Sequence, residues 1–183
     1  MKQRNMRILF ALLATIAIAG AAGWFFFVRQ AGPQILEFDI ARDGKGIMAI
    51  FDRDWDWLIP GSRDTFSPEL MMAYRAPQQN PLYAGRLKIK VMRDGDALIG
   101  FVAWYMKSPE VGFLNFLDIN PEYRGKGYAE KLLRYGMDQM FKAGAKKLEM
   151  VTWPHNVRSR ALYDRVGWKV KRIDGQVHYE YYP

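Results

Sequence analysis

The chain contains no cysteine and only two histidines. The first absence excludes disulfides, thiolate metal ligands and a cysteine nucleophile, although it does not fix the compartment. His155 and His178 lie too far apart in sequence to read as a metal pair, so no metal centre is expected. The phosphate loop of nucleoside triphosphatases is missing, because no Gly-Lys-Ser/Thr follows a four-residue gap. The dinucleotide fingerprint is missing too, since it needs a third glycine and a downstream ribose-binding acid. No internal repeat or low-complexity tract is present. Acidic residues are absent from residues 1–33, which hold four basic ones. The net charge of +8 over 183 residues therefore leaves 23 basic against 19 acidic residues, a net +4, in the remainder. So mild an excess suits an acidic small molecule better than a nucleic-acid backbone. The one basic group, Arg158, Arg160, Arg165, Lys169, Lys171 and Arg172, alternates with core positions rather than forming a stripe.

What is present begins with an uncharged run. Ile8 to Val28 is 21 residues long without a charge, preceded by Lys2, Arg4 and Arg7 and closed by Arg29. At 1.5 Å per helical residue it reaches about 30 Å, the thickness of a bilayer core. Trp24 and Phe25 to Phe27 fall where interfacial aromatic rings are favoured. The expectation is a basic N-terminus over 1–7, a transmembrane helix over 8–28, a linker over 29–34 and one domain over 35–183. A cleaved signal peptide competes, because Ala17-Ile18-Ala19 and Ala19-Gly20-Ala21 fit a small-x-small site. The Trp-Phe-Phe-Phe-Val run would then remain as an apolar terminus, which favours the uncleaved anchor. Charge bias across the span slightly favours the domain outside the membrane, whereas a cofactor made inside the cell would favour the cytoplasmic side.

Half of all residues in the chain are apolar and 15% are aromatic, enough for one core. Ile35 to Ile40 reads as a strand. Asp43 to Trp57 reads as a helix ended by Pro60-Gly61. Its Asp52-Arg53-Asp54-Trp55-Asp56-Trp57 segment is open to three readings: two buried indoles, an acceptor pocket or a partner surface. Ser67-Pro68-Glu69 starts a helix running to about Tyr74, with Ser67 as N-cap and Pro68 at the first position. Ala76 to Gly85 is a polar loop. Leu87–Met92, Leu98–Tyr105 and Val111–Ile119 read as three antiparallel strands, with an Asp94-Gly95 turn and a break at Ser108-Pro109. The period then changes. Ala129, Leu132, Leu133, Gly136, Met137, Met140 and Phe141 recur at three and four, which predicts a helix with one buried face closed by Gly144. Lys147–Thr152 is a strand, Val157–Val166 a helix capped by Gly167, and 168–173 with 177–182 a final hairpin. The fold class is α+β, a mixed, largely antiparallel sheet flanked by helices.

Glu122-Tyr123-Arg124-Gly125-Lys126-Gly127-Tyr128-Ala129 sits between the third strand and the longest soluble helix. Two glycines let the backbone approach an anion closely, and the helix start aims free N–H groups and its positive dipole end at the same place. This strand, loop and helix resemble the acyl-CoA-binding motif of the GNAT N-acetyltransferase superfamily, Arg/Gln-x-x-Gly-x-Gly/Ala, here Arg124, Gly127 and Ala129. Asn156-Val157-Arg158-Ser159-Arg160-Ala161-Leu162-Tyr163-Asp164-Arg165-Val166-Gly167-Trp168 resembles the family's Asn-x-x-Ala-x-x-Leu-Tyr-x-x-x-Gly-Phe segment, with one extra residue before the alanine and Trp168 in place of Phe.

The resemblance spans about residues 35–182 and implies roles by position. Backbone amides of Arg124, Gly125, Lys126, Gly127, Tyr128 and Ala129 would hold the CoA pyrophosphate. Leu117, Asp118 and Ile119 would bind the pantetheine arm and the acyl carbonyl. Asn156 would contact the cofactor, and Tyr163 would protonate the departing thiolate. Seven residues are near two helical turns, so Asn156 and Tyr163 can address one ligand. Without the resemblance, Tyr163 reads equally as a packing tyrosine and Asn156 as a plain N-cap. Glu110 and Asp118 are candidate general bases, each also readable as a structural acid. The implied function is a membrane-anchored N-acyltransferase moving an acetyl or other acyl group from acyl-CoA directly to an unknown amine, with the bilayer and membrane proteins as further partners. The alternative is a catalytically inactive interaction module on the same scaffold.

Overall fold

Asp39 sets where the first helix begins. Its side chain accepts from the Ala41 N–H and its own N–H donates to Asp43, a reciprocal cap that satisfies donors a helix start leaves orphaned. The computed structural model describes residues 32–59, 62–73 and 87–183. Strand β1 covers Gln34–Glu37 and helix α1 covers Ile40–Leu58. The strand expected to reach Ile40 therefore ends earlier, because the Asp39 cap turns Ile40 into the first helical residue. Helix α2, Pro68–Met72, has its Ser67 cap on the Leu70 N–H as expected. The expected membrane span 8–28, Pro60-Gly61 and the 76–85 loop lie outside the described residues. Among the described residues no helix is long and apolar enough to cross a membrane.

Three strands follow: β2 Lys88–Asp94, β3 Ala97–Ser108 and β4 Val111–Ile119. A 3₁₀ turn at Pro121–Tyr123 leads to helix α3, Tyr128–Lys142. Strand β5 is Lys147–Thr152, helix α4 is Val157–Val166, and β6 Lys169–Ile173 with β7 Val177–Tyr181 form the last hairpin. The sheet order is β1-β2-β3-β4-β5-β7-β6. Ile35–Pro183 forms one compact unit. Strand β3 is apolar nearly throughout because both its faces are buried. Ile47, Ile50, Phe51 and Trp55 of α1 cover one face with Phe101 and Phe116. Leu132, Leu133, Met137 and Met140 of α3 cover the other, with Leu162 and Tyr163 of α4 beside them.

Two irregularities shape the middle of the sheet. Trp104 pairs with Leu114 but Ala103 pairs with Phe116, so Asn115 is the extra residue of a β-bulge in β4. The parallel pairing of β4 with β5 covers only Val111↔Lys147, Gly112↔Leu148 and Phe113↔Glu149. Beyond Phe113 the two strands part, and the second half of β4 has no ladder partner on its β5 side.

Candidate active site

The parted strands open toward the glycine loop. After the 3₁₀ turn, Arg124 is extended, Gly125 has φ +78° and Gly127, the N-cap of α3, has φ +81°. Left-handed backbone at two alternate positions turns successive N–H groups toward one point, and only glycine adopts it without strain. Nothing lies within 4 Å of where a Cβ would stand on either glycine. Among the described residues, no acceptor meets the backbone N–H groups from Gly125 to Ala129. This corner of the fold is open, with its amides unspent and a helix N-terminus behind them, which fits a diphosphate.

Arg124 itself faces the other way. Its Nε donates to the Ile119 carbonyl at 2.7 Å, and its Nη2 contacts Asp54 at 2.8 Å and Asp118 at 3.2 Å. Arg53 bonds the same Asp54 oxygen at 2.6 Å and reaches Asn120 at 3.0 Å. The guanidinium thus ties the end of β4 to α1, and α1 is kinked at that point, Asp54 having φ −111° and ψ 23°. Lys126 folds back onto the Glu122 carbonyl and the Tyr123 ring.

Burial pushes the Asp118 carboxyl up to about 6, helped by the neighbouring Asp54 charge and opposed by Arg124. Arg124 fails to hold it low because it is shared with Asp54, the nearer carboxylate. Tyr163 is buried in α4, edge-on to Tyr179 at 5.6 Å. Burial raises its phenol to about 12; a Ser159 hydrogen bond acts the other way, and the Tyr179 and Asp118 charges add to the rise. Asn156 is the N-cap of α4, its Oδ1 accepting from the Ser159 N–H at 3.3 Å.

The structure therefore gathers Asp118, the glycine loop and α4 with Asn156 and Tyr163 around the open end of β4. Leu117 and Ile119 lie on that same stretch. It does not bring Glu110 there. Glu110 precedes β4 at its far end, exposed, with Lys146 as ion partner at 2.5 Å. Two participants were not singled out from the sequence. Asp54 occupies an apolar-stripe position of α1, after Ile47, Ile50 and Phe51, and an acid in that stripe was the available signal. Asn115 is the lone amide in the apolar run Val111–Ile119.

A cavity of about 210 Å³ opens between the C-terminal end of α1 and the diverging strands. Trp57, Phe66, Tyr105, Phe113, Asn115 and Trp153 are among its walls. Of the two α1 indoles only Trp55 is buried; Trp57 is 49% exposed. His155 stacks on Trp153 with centroids 5.8 Å apart and lies tilted against Trp57 at 5.2 Å. Among the described residues no group of three or more potential ligands for a metal ion occurs.

Comparison with known proteins places this geometry. The family model described as the Acetyltransferase (GNAT) family matches residues 47–168. The chain belongs to that family. Mycothiol acetyltransferase of Corynebacterium glutamicum is 30% identical over 87 residues, 48% of this chain and 29% of that protein. N-alpha-acetyltransferase 30 of Schizosaccharomyces pombe is 35% identical over 72 residues, 39% of this chain and 45% of that protein. The aligned stretch thus spans less than half the length of these curated relatives. In structure, the PaiA N-acetyltransferase of Thermoplasma acidophilum, solved with coenzyme A, superposes with TM-score 0.68 at 19% identity over 83% of this chain and 99% of that one. YncA of Salmonella typhimurium, described as a putative acetyltransferase and solved with acetyl-CoA, gives 0.66 at 16% identity over 83% and 94%. These likenesses establish a GNAT fold.

Proposed function

We propose that the protein transfers an acetyl group from acetyl-CoA to an amine, as an N-acetyltransferase held at a membrane by residues 8–28. The observation that carries the catalytic part is the pair of left-handed glycines facing open space, with the amides of the α3 start unspent beside them. Gly125 to Ala129 hold the diphosphate. The unpaired side of Leu117 to Ile119 lies along the pantetheine arm, and Asn156 flanks it with the amide nitrogen that capping leaves free. Two relatives solved with CoA or acetyl-CoA share the fold.

In the transfer, the amine nitrogen bonds the acetyl carbon and the carbon–sulfur bond breaks. The thiolate takes the phenol proton of Tyr163, and the phenolate recovers the proton that the new amide nitrogen gives up. Burial keeps the phenol protonated until the thiolate forms; transfer from so weak an acid is uphill and is drawn forward because the N-protonated amide, a far stronger acid, returns a proton to the phenolate. Asp118 acts as a positioning residue: it holds Arg124, and its charge helps keep the phenol protonated. Glu110 is given no part, because its side chain is engaged with Lys146 at the opposite end of β4.

The test compares the full-length protein with Tyr163→Phe in an acetyl-CoA acetylation assay over a panel of amines. The variant is expected to bind acetyl-CoA unchanged and to lose about 100-fold in turnover, the usual share of a positioned acid. Unchanged turnover would remove Tyr163 from the reaction. The anchor is tested separately by washing membranes at alkaline pH. The full chain is expected to remain in the membrane fraction, and release into the wash would contradict it.

A further inference from the structure

The aromatic cavity sits one or two residues along β4 from the stretch that would carry the thioester, since Phe113, Asn115 and Phe116 line it and Leu117 follows. It is the natural seat for the acceptor, so its chemistry specifies which amine fits; this step rests on the transferase reading above. None of the described residues lining it carries a charge. A second ammonium or a carboxylate on the acceptor would be stripped of water with no counter-charge, a cost larger than any packing gain. Thr65, Tyr105, Asn115, Thr152 and Gln176 are its polar side chains, and the other eight are aliphatic, phenyl or indole, against which a sugar ring would set most of its hydroxyls. The volume of about 210 Å³ is also below that of the clefts that seat drug-sized ligands.

One buried polar atom of its walls has no partner. The Nδ2 of Asn115 is buried without a hydrogen-bond partner. Its place in the β4 bulge explains the geometry, because the extra residue of a bulge leaves the ladder and re-aims its side chain. A buried donor with no partner costs free energy unless a ligand meets it. A neutral oxygen on the acceptor answers that need, whereas a carboxylate would bring an uncompensated charge.

We infer that the acceptor is a small primary amine borne on an apolar or aromatic body, with no second ionised group and with one neutral oxygen that Asn115 recognises. The cavity has a further consequence for the chemistry. An ammonium entering apolar walls is desolvated, which favours its neutral form. The aromatic walls thereby help to deliver the free amine, in a site where no carboxylate lines the acceptor cavity.

The experiment measures initial rates of the full-length protein with acetyl-CoA and five acceptors: phenylalaninamide, phenethylamine, phenylalanine, glucosamine and a linear polyamine. Acetyl-CoA binding is measured calorimetrically on the same preparation. Phenylalaninamide is expected to exceed phenylalanine, glucosamine and the polyamine in kcat/KM by about 100-fold or more, the scale on which a mismatched buried polar group is rejected. Asn115→Ala should cost phenylalaninamide about fivefold in kcat/KM, one neutral hydrogen bond, and leave phenethylamine unchanged. Trp57→Ala, at a half-exposed position, should raise KM for both aromatic amines without altering acetyl-CoA affinity. Intact cofactor binding with preference for the polyamine, the sugar or the free amino acid overturns this inference alone, as does intact binding with none of the five acetylated. Absence of acetyl-CoA binding overturns the transferase reading and the inference with it.

Discussion

Asp118 shows how a single buried carboxylate makes stability depend on pH. Its folded-state pKa of about 6 lies above the ordinary 3.8 because burial disfavours the charged form. The folded state therefore keeps a proton that the unfolded chain has released, and its stability falls as pH rises from about 4 to about 6. Asp118→Asn removes this dependence while Asp54 still holds Arg124. Thermal unfolding of both proteins across that window should show the native chain losing ground against the variant, with the difference constant above pH 7. A difference independent of pH would show that Asp118 is not desolvated. The same residue illustrates what the sequence conceals. That Asp118 lies at the end of β4 was readable from the apolar run before it. That Asp54, 64 positions earlier, shares its arginine was not, because an ion pair across the fold leaves no local pattern.

In the transferase reading, the glycine loop and its helix are the element expected to hold the cofactor. Gly127→Ala places a methyl group in the open space before α3 and forces a left-handed residue, at roughly 1–2 kcal/mol of backbone cost. Acetyl-CoA affinity is expected to fall by about tenfold. Gly95→Ala is the control, a glycine at φ +57° with equally open surroundings in the β2–β3 turn. It should show a similar loss of stability with affinity unchanged, and equal affinity in all three proteins would remove the loop from the site. Elements with strong local signals were legible with their bounds: Val111–Ile119, Lys147–Thr152 and Val157–Val166 stand as periodicity and capping indicate. The β4 bulge and the parting of β4 from β5 were not, because both are decided by pairing partners rather than by the strand's own residues.

At the scale of the molecule, two apolar layers clamp one sheet, α1 and α2 on one face and α3 and α4 on the other. The β4–β5 ladder ends at Phe113, and the aromatic cavity is lined by Phe113, Asn115 and Phe116 beyond that point. The basic residues of the last third are largely spent on neighbours: Arg165 pairs with Glu130, Lys171 with Glu149 and Glu180, and Arg172 with Asp174. Among the described residues, the backbone amides of Gly125 to Ala129 remain without an acceptor. The most direct measurement is calorimetric titration of acetyl-CoA into the full-length protein, repeated with CoA as competitor. Saturable one-site binding, displaced by CoA and weakened by Gly127→Ala, is the predicted result. Failure to saturate at millimolar acetyl-CoA would contradict the account.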